Sequence, residues 1–373
     1  MPALDRADTS LLGRWWWSLD RPTLVAVGLL LGFGYIMVLA ASPAVAVRIG
    51  DARDALIVKQ MLFLAVGGLV VVSVSTLSPR EIRRLALLGG VAALLLTAYT
   101  LIGGVQIKGA RRWIALPGFA VQPSEFLKPC FAVITAWLLA KRRQQPRFPG
   151  LAIALGLLLV VLALLKAQPD VGMSAVIAAV FFAQLIIDGL NLWLVGAGLG
   201  MFVLAGAGAW LAFAHVRSRV HDFLHPTMKD AYQVLTALEA FGNGGLLGRG
   251  PGEGTVKNFL PDAHADFVFA VLGEEFGLIV CLLIVGIFGF IVWRGLLRLL
   301  TESDHFVVLA ASGLLVSFGL QAFINMASAL ELIPAKGMTL PFISYGGSSM
   351  ISVSLVMGMA LALTRKRHHG DPV

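Results

Sequence analysis

This chain has little charge. Only 13% of its 373 residues are Asp, Glu, Lys or Arg, while 58% are hydrophobic. That balance excludes an ordinary water-soluble domain. It also excludes a nucleic-acid binder, because no basic, aromatic-laced soluble region exists to carry that role. Cysteine is nearly absent. Cys130 and Cys281 lie far apart in apolar runs and form no CxxC pair. Neither a disulfide framework nor a cysteine metal site follows, and both read as small buried hydrophobes. The short alternating segments of a membrane barrel are missing. The polar N-terminus leads into a long span with no short apolar stretch and cleavage site, so that span reads as an uncleaved anchor. No internal repeat of the transporter kind is visible, and 1–373 reads as one domain.

Long apolar runs are what remains. Mean hydropathy is +0.85. Runs of about 18 residues or more recur along the chain, and a bilayer forces each to satisfy its own backbone hydrogen bonds as a helix. The expectation is an all-α polytopic membrane protein of about ten transmembrane helices with one long extracytoplasmic loop. The spans fall near 23–45, 57–77, 85–103, 124–140, 151–167, 171–190, 191–214, 266–293, 305–331 and 340–364. Trp15, Trp16 and Trp17 suit a membrane interface. An even count puts both termini on one side, with Arg80, Arg83, Arg84, Lys141, Arg142, Arg143, Arg147, Arg294, Arg298 and the tail from Arg365. That side reads as cytoplasmic, with 1–22 and 365–373 as its terminal segments. The other side also carries bases: Lys108, Arg111, Arg112, Arg217, Arg219, Lys229, Arg249, Lys257 and Lys336. These either pair with nearby acids such as Asp222, Asp230, Glu239, Glu253 and Asp262 or meet an anionic ligand. Net charge is +8, which suits anionic headgroups or phosphorylated substrates.

Segment 215–265 is the one long stretch outside the spans, and loops of that length are usually functional or disordered. Tyr232 to Phe241 has helical apolar spacing. Glycines follow at 242, 244, 245, 248, 250, 252 and 254, without the Gly-Lys-Ser/Thr of a phosphate loop. Flexibility is the role their number indicates. His221-Asp222-Phe223-Leu224-His225 superficially resembles a zinc helix, but Pro226 follows at once and no third ligand is evident.

Pro261 to Gly277 joins this polar loop to an apolar run, with Asp266 at the seam and Glu274 and Glu275 inside. If the run is helical throughout, Asp266 and Glu274 share a face about 12 Å apart. Asp266 is then either a base at a membrane surface or, with both glutamates, one of three paired structural acids. Four other stretches can carry chemistry. Arg111 and Arg112 offer forked donors to phosphate, and Trp113 beside them can stack on a sugar or sit at the interface. Gln122-Pro123-Ser124-Glu125 suits a helix start, with Lys128 placed to pair with Glu125. Lys166 and Asp170 bracket Gln168-Pro169, as a pair or as a ligand contact. Lys336 to Ser349 holds small residues at Ser344, Gly346, Gly347 and Ser348, for close helix packing or for an anion at a helix start.

Taken together, these stretches resemble the SEDS family of bacterial cell-wall proteins, its division branch more than its elongation branch. The carrying residues are Gly109 to Trp113, Gln122 to Phe126, Gln168-Pro169-Asp170, Pro261 to Gly277 and Pro334 to Ser349. The family usually has Glu and Thr where this chain has Asp262 and Ala265, and the Gly248 to Thr255 loop is atypical. The resemblance implies a peptidoglycan glycosyltransferase polymerising lipid II on the outer face of the bacterial cytoplasmic membrane, at the division septum. It places the essential acid at Asp266. Lys108, Arg111, Arg112, Trp113, Gln122, Ser124, Glu125, Lys128, His264, Lys336, Ser344, Gly347 and Ser348 become the substrate-binding candidates. The implied partners are lipid II, lipid-linked glycan, a class B penicillin-binding protein of the transpeptidase type and other division membrane proteins. A divalent cation (Mg or Mn) is a candidate to share the leaving-group charge, though no clear ligand set exists; no organic cofactor is expected. A lipid II flippase, an elongation-type polymerase and a pure scaffold are the competing readings.

Overall fold

A computed structural model describes residues 10–48, 55–107, 110–212, 217, 228–260, 262–333 and 337–366. A short helix α1 (Leu11–Ser18) precedes α2 (Arg21–Arg48), α3 (Ala55–Ser75) and α4 (Pro79–Gly103). Strands β1 (Val105–Ile107), β2 (Ala110–Leu116) and β3 (Phe119–Val121) follow, then α5 (Pro123–Gln144), α6 (Gly150–Ala167), α7 (Val171–Ile187) and α8 (Leu192–Ala212). The remainder is α9 (Met228–Gly244), α10 (Val268–Leu299), α11 (His305–Ala329) and α12 (Gly347–Leu363). The ten expected spans correspond to α2 to α8 and α10 to α12, and the protein is a polytopic helical membrane protein.

α11 is well enclosed, packed against α5, α7, α10 and α12, while α12 lies along α3. Polar side chains lace these helices where lipid offers no partner. Gln184 of α7 donates to the carbonyls of Ala132 and Leu309 and accepts from the Thr135 hydroxyl, joining α7, α5 and α11.

The expected non-membrane stretch at 105–121 is a three-stranded antiparallel sheet, β1-β2-β3. Leu116 pairs with Phe119 across Pro117-Gly118. Proline presets the first turn position, and Gly118 takes the left-handed backbone (φ 87°) that the second demands.

The seam also differs from expectation. α10 starts at Val268, so Asp266 lies in the turn before the helix and shares no helical face with Glu274. α10 is itself broken at Gly277, whose backbone is φ 79°, ψ 179°. The glycine-rich turn after α9 docks on this break. Leu278 and Ile279 donate to the Gly245 and Leu246 carbonyls, while Arg249 and Gly250 donate to those of Glu274 and Glu275. The groups freed by the break are thereby satisfied by protein, as a lipid-embedded break requires. Close approach rather than flexibility accounts for Gly248 and Gly277. A Cβ on Gly248 (φ 81°) would lie 2.2 Å from the Glu275 carbonyl oxygen.

The opposite end of the bundle gathers the basic linkers. Lys366 N donates to Ser18 O, the Trp15 indole to Ser75, and Arg365 to Thr76 O, so both described termini meet there. Asp20 is held by Arg294, Arg298 and Thr23. Burial opposes its charge, but the Arg294 and Thr23 hydrogen bonds and the Arg298 charge outweigh it, and its pKa falls below the usual 3.8. A carboxylate with a depressed folded pKa stabilises above its unfolded value and loses that contribution as pH falls through the folded one. Asp20→Asn should therefore cost about 2 kcal/mol near neutral pH. The gap from wild type in a thermal unfolding series should close as pH falls below 3.8.

Candidate functional site

Two non-helical segments meet at the end of the bundle away from the basic linkers. One is the turn carrying Asp266; the other enters α12 through 337–346. The Ser344 hydroxyl donates to Ala265 O at 2.6 Å and accepts from Leu340 N, and Tyr345 N donates to His264 O at 2.8 Å. The His264 and Tyr345 rings sit 5.0 Å apart. Asn325, near the end of α11, joins the two segments: its amide donates to Asp266 O at 2.9 Å and to Met338 O at 2.6 Å. Gln60 of α3 donates to Ser344 O from the other side. The Asp266 carboxylate lies beside Gly337, where a Cβ would come within 3.3 Å of Oδ2. Asp266 is half-buried.

The entering segment is pressed deep into the bundle. A Cβ on Gly34 of α2 would lie 2.0 Å from Phe342 O, and Phe342, fully buried, has φ 64°. A left-handed aromatic residue is strained, and such strain persists only where its surroundings fix it. Gly347 opens α12 against the Phe63 ring, 2.5 Å from where its Cβ would be, so close packing accounts for this glycine.

One turn before Asn325, Gln321 accepts from the Lys128 ammonium and donates to Thr339 O. Lys128 also pairs with Glu125 at 2.7 Å, the contact that its spacing led us to expect. Lys128 and Ser124 are buried, and Ser124 accepts from the Gln122 side chain. Gln122 N donates to Ser348, tying the start of α5 to the first turn of α12. Gln122, Ser124, Glu125, Lys128, Ser344, Gly347 and Ser348 thus surround one buried polar layer reaching Asp266 through Gln321 and Asn325.

The sheet flanks this layer. Arg112 is held within the chain by the carbonyls of Gln168 and Pro169 and by Asp170 at 3.2 Å. Asp170, expected beside Lys166, pairs with Arg112. Arg111 and Trp113 alternate to the other face of β2, Arg111 exposed and Trp113 half-buried. Lys108, Lys336 and the His221–His225 stretch lie outside the described residues. Glu274 and Glu275 are not part of the layer. Glu274 accepts from Thr255 N and Val256 N, and Glu275 accepts from Gly252 N and pairs with Lys257 at 2.6 Å. Both clamp the glycine turn. Asn325, Gln321 and Gln60 are residues that sequence reasoning missed, while Thr339 and Ser349 stood inside the stretch from Lys336 to Ser349 without a role of their own. Their one signal is a polar side chain in or beside an apolar span.

Residues 21–369 match the FtsW–RodA–SpoVE family, described as a cell cycle protein. The chain belongs to that family. This is the SEDS family that the motifs indicated. A protein of Caulobacter vibrioides named probable peptidoglycan glycosyltransferase FtsW is 44% identical over 371 residues, covering 98% of this chain and 94% of that protein. One of Trichlorobacter lovleyi with the same name is 34% identical, covering 92% of this chain and 93% of its own. Among solved structures, one described as "Structural coordination of polymerization and crosslinking by a peptidoglycan synthase complex" superposes with a TM-score of 0.79. It is 27% identical and covers 94% of this chain and 98% of its own. The Thermus thermophilus rod shape determining protein RodA superposes at 0.70, with 28% identity, 94% of this chain and 97% of its own. Within this FtsW–RodA–SpoVE chain, the Asp266 turn and the 337–346 segment bring irregular backbone, buried polar groups and a half-buried carboxylate together.

Proposed function

We propose that this chain is a peptidoglycan glycosyltransferase of the FtsW type, polymerising lipid II into glycan during cell division, with Asp266 as its base. The observation that carries the reading is the half-buried Asp266, its backbone carbonyl held by Asn325 and its carboxylate beside Gly337, at the end of the bundle away from the basic linkers. The Asp266 carboxylate takes the proton of the acceptor's GlcNAc 4-hydroxyl within about 3 Å. That oxygen bonds to C1 of the donor's MurNAc as the C1–phosphate oxygen bond breaks. Undecaprenyl diphosphate leaves with the bonding electrons, and the carboxylic acid later returns its proton to water. Arg111, Lys108 and Lys336 offset the charge that develops on the diphosphate. Arg112 fixes the sheet that presents Arg111. Gln122, Ser124, Glu125, Lys128, His264, Ser344, Gly347 and Ser348 shape the substrate-facing layer, and Trp113 offers a stacking face.

Among the described residues no three His, Cys, Asp or Glu converge on one point, so a divalent cation sharing the leaving-group charge would be held mainly by the substrate's own diphosphate. The basic-linker end is cytoplasmic and holds both termini, and Asp266 faces outward, by the positive-inside rule. The likeness to a chain from a peptidoglycan synthase complex supports a class B penicillin-binding protein as partner, with other division membrane proteins at the septum.

A flippase is the competing reading, and buried Glu274, Glu275 and Lys257 are what favour it. The hydrogen bonds that lock them to the glycine turn speak for a clamp instead. Vesicles loaded with fluorescent lipid II separate the two. Glycan should form with no rise in the dithionite-quenchable fraction; faster quenching without glycan contradicts the proposal.

A further inference from the structure

At the basic-linker end, α4, α5 and α11 border an open cavity of about 360 Å³ lined by Arg83, Trp137, Ala140, Lys141, Gln144, Gln145 and Phe306. It is remote from Asp266, since Lys128 and Lys141 lie about 20 Å apart along α5 at the helical rise. Its two cations are held only by ring faces. The Arg83 guanidinium carbon sits 5.7 Å from the Phe306 ring centroid, and Lys141 Nζ lies 4.6 Å from that of Phe148 and 5.4 Å from that of Trp137.

The nearby acids are engaged elsewhere. Asp188 is bonded to His305 at 2.7 Å and faces Arg142 at 4.0 Å. Glu302 accepts from the amides of Ser303 and Asp304, and Asp304 caps Phe306 N. Among the described residues, neither Arg83 nor Lys141 has a carboxylate within ion-pair distance. Lys141, in the last turn of α5, is also favoured by the helix dipole; Arg83 is not. Arg83 stands near the start of α4, where a cation opposes the dipole, so its placement does nothing for its own helix.

We infer that this cavity is a phosphate-binding site, taken by the headgroup of an anionic phospholipid. Arg83 forks onto the phosphate oxygens, Lys141 adds a second charge, and Gln144 and Gln145 offer amides to a glycerol hydroxyl. The aromatic walls receive the upper acyl chain at membrane-interface depth. On the orientation proposed above, the lipid belongs to the inner leaflet.

The test is a binding titration of the full-length protein in nonionic detergent with dioctanoyl phosphatidylglycerol, dioctanoyl phosphatidylcholine and inorganic phosphate. Phosphatidylglycerol should bind at least about tenfold more tightly than phosphatidylcholine, and Arg83→Gln/Lys141→Gln should abolish the difference. Arg147→Gln, an exposed cation at the same end, should retain it. Competition by millimolar inorganic phosphate would support the same site with free phosphate as a second source. Equal binding of the two lipids overturns the inference. So does unchanged phosphatidylglycerol binding in the double variant, or an equal loss in Arg147→Gln. Should the double variant fail to fold, Arg83→Gln alone decides: a loss of several-fold supports the site, and no loss overturns it.

Discussion

Replacing Glu275 by Ala should destabilise the protein by about 3–5 kcal/mol, the usual cost of stranding one member of a buried ion pair. Glu275 and Lys257 are 1% and 7% exposed, and the Lys257 ammonium also donates to the Ala40 and Gly252 carbonyls. Those contacts tie the glycine turn to α2 and hold it on the break at Gly277. Without Glu275 the buried ammonium loses its 2.6 Å carboxylate partner. Gly252 N also loses its acceptor. Lys257→Met/Glu275→Leu should recover the larger part of the loss, because both charges leave together. Cys130 and Cys281, both buried thiols, serve as reporters. Labelling by a thiol-reactive dye on heating should begin at a lower temperature in Glu275→Ala and shift back in the double variant. If the single variant labels like wild type, the clamp contributes nothing.

Asp266→Asn should lower the polymerisation rate about 10²–10⁴-fold, the range for loss of a general base. The substitution keeps the side chain's size and leaves the Asn325 bond intact, since that bond uses the Asp266 carbonyl. Folding should therefore be unchanged by the same labelling assay, and KM for lipid II should move little. A fall in kcat with KM constant marks an interaction made in the transition state. A large rise in KM with kcat preserved would make Asp266 a binding residue instead.

The spans were legible because apolar length is a strong signal. The expected 57–77 and 151–167 are Ala55–Ser75 and Gly150–Ala167. The Lys128–Glu125 pair was legible because helical spacing alone brings the two together. Other features were hidden for physical reasons. Gly277 is one glycine in an apolar run, and nothing local shows that its break is satisfied by carbonyls some thirty residues earlier. The sheet did leave a trace, alternation around Arg112 and the Pro117-Gly118 turn, but strands of three residues give little periodicity. Asn325 and Gln321 could be flagged as polar groups within a span, yet their partners Met338, Asp266 and Lys128 are fixed only by tertiary packing. The family resemblance, rather than spacing, singled out Asp266 among three nearby acids. The structure adds why they differ: the glutamates clamp the glycine turn, and Asp266 stands clear of it.

The central claim is that this protein builds glycan and needs the Asp266 carboxylate to do so. The most direct measurement is the gel ladder formed from purified fluorescent lipid II by wild-type and Asp266→Asn protein, each with its cognate transpeptidase and at matched folded concentration. The account predicts long polymer from wild type and only unextended lipid II from the variant. Polymer of equal length and yield from both would contradict it.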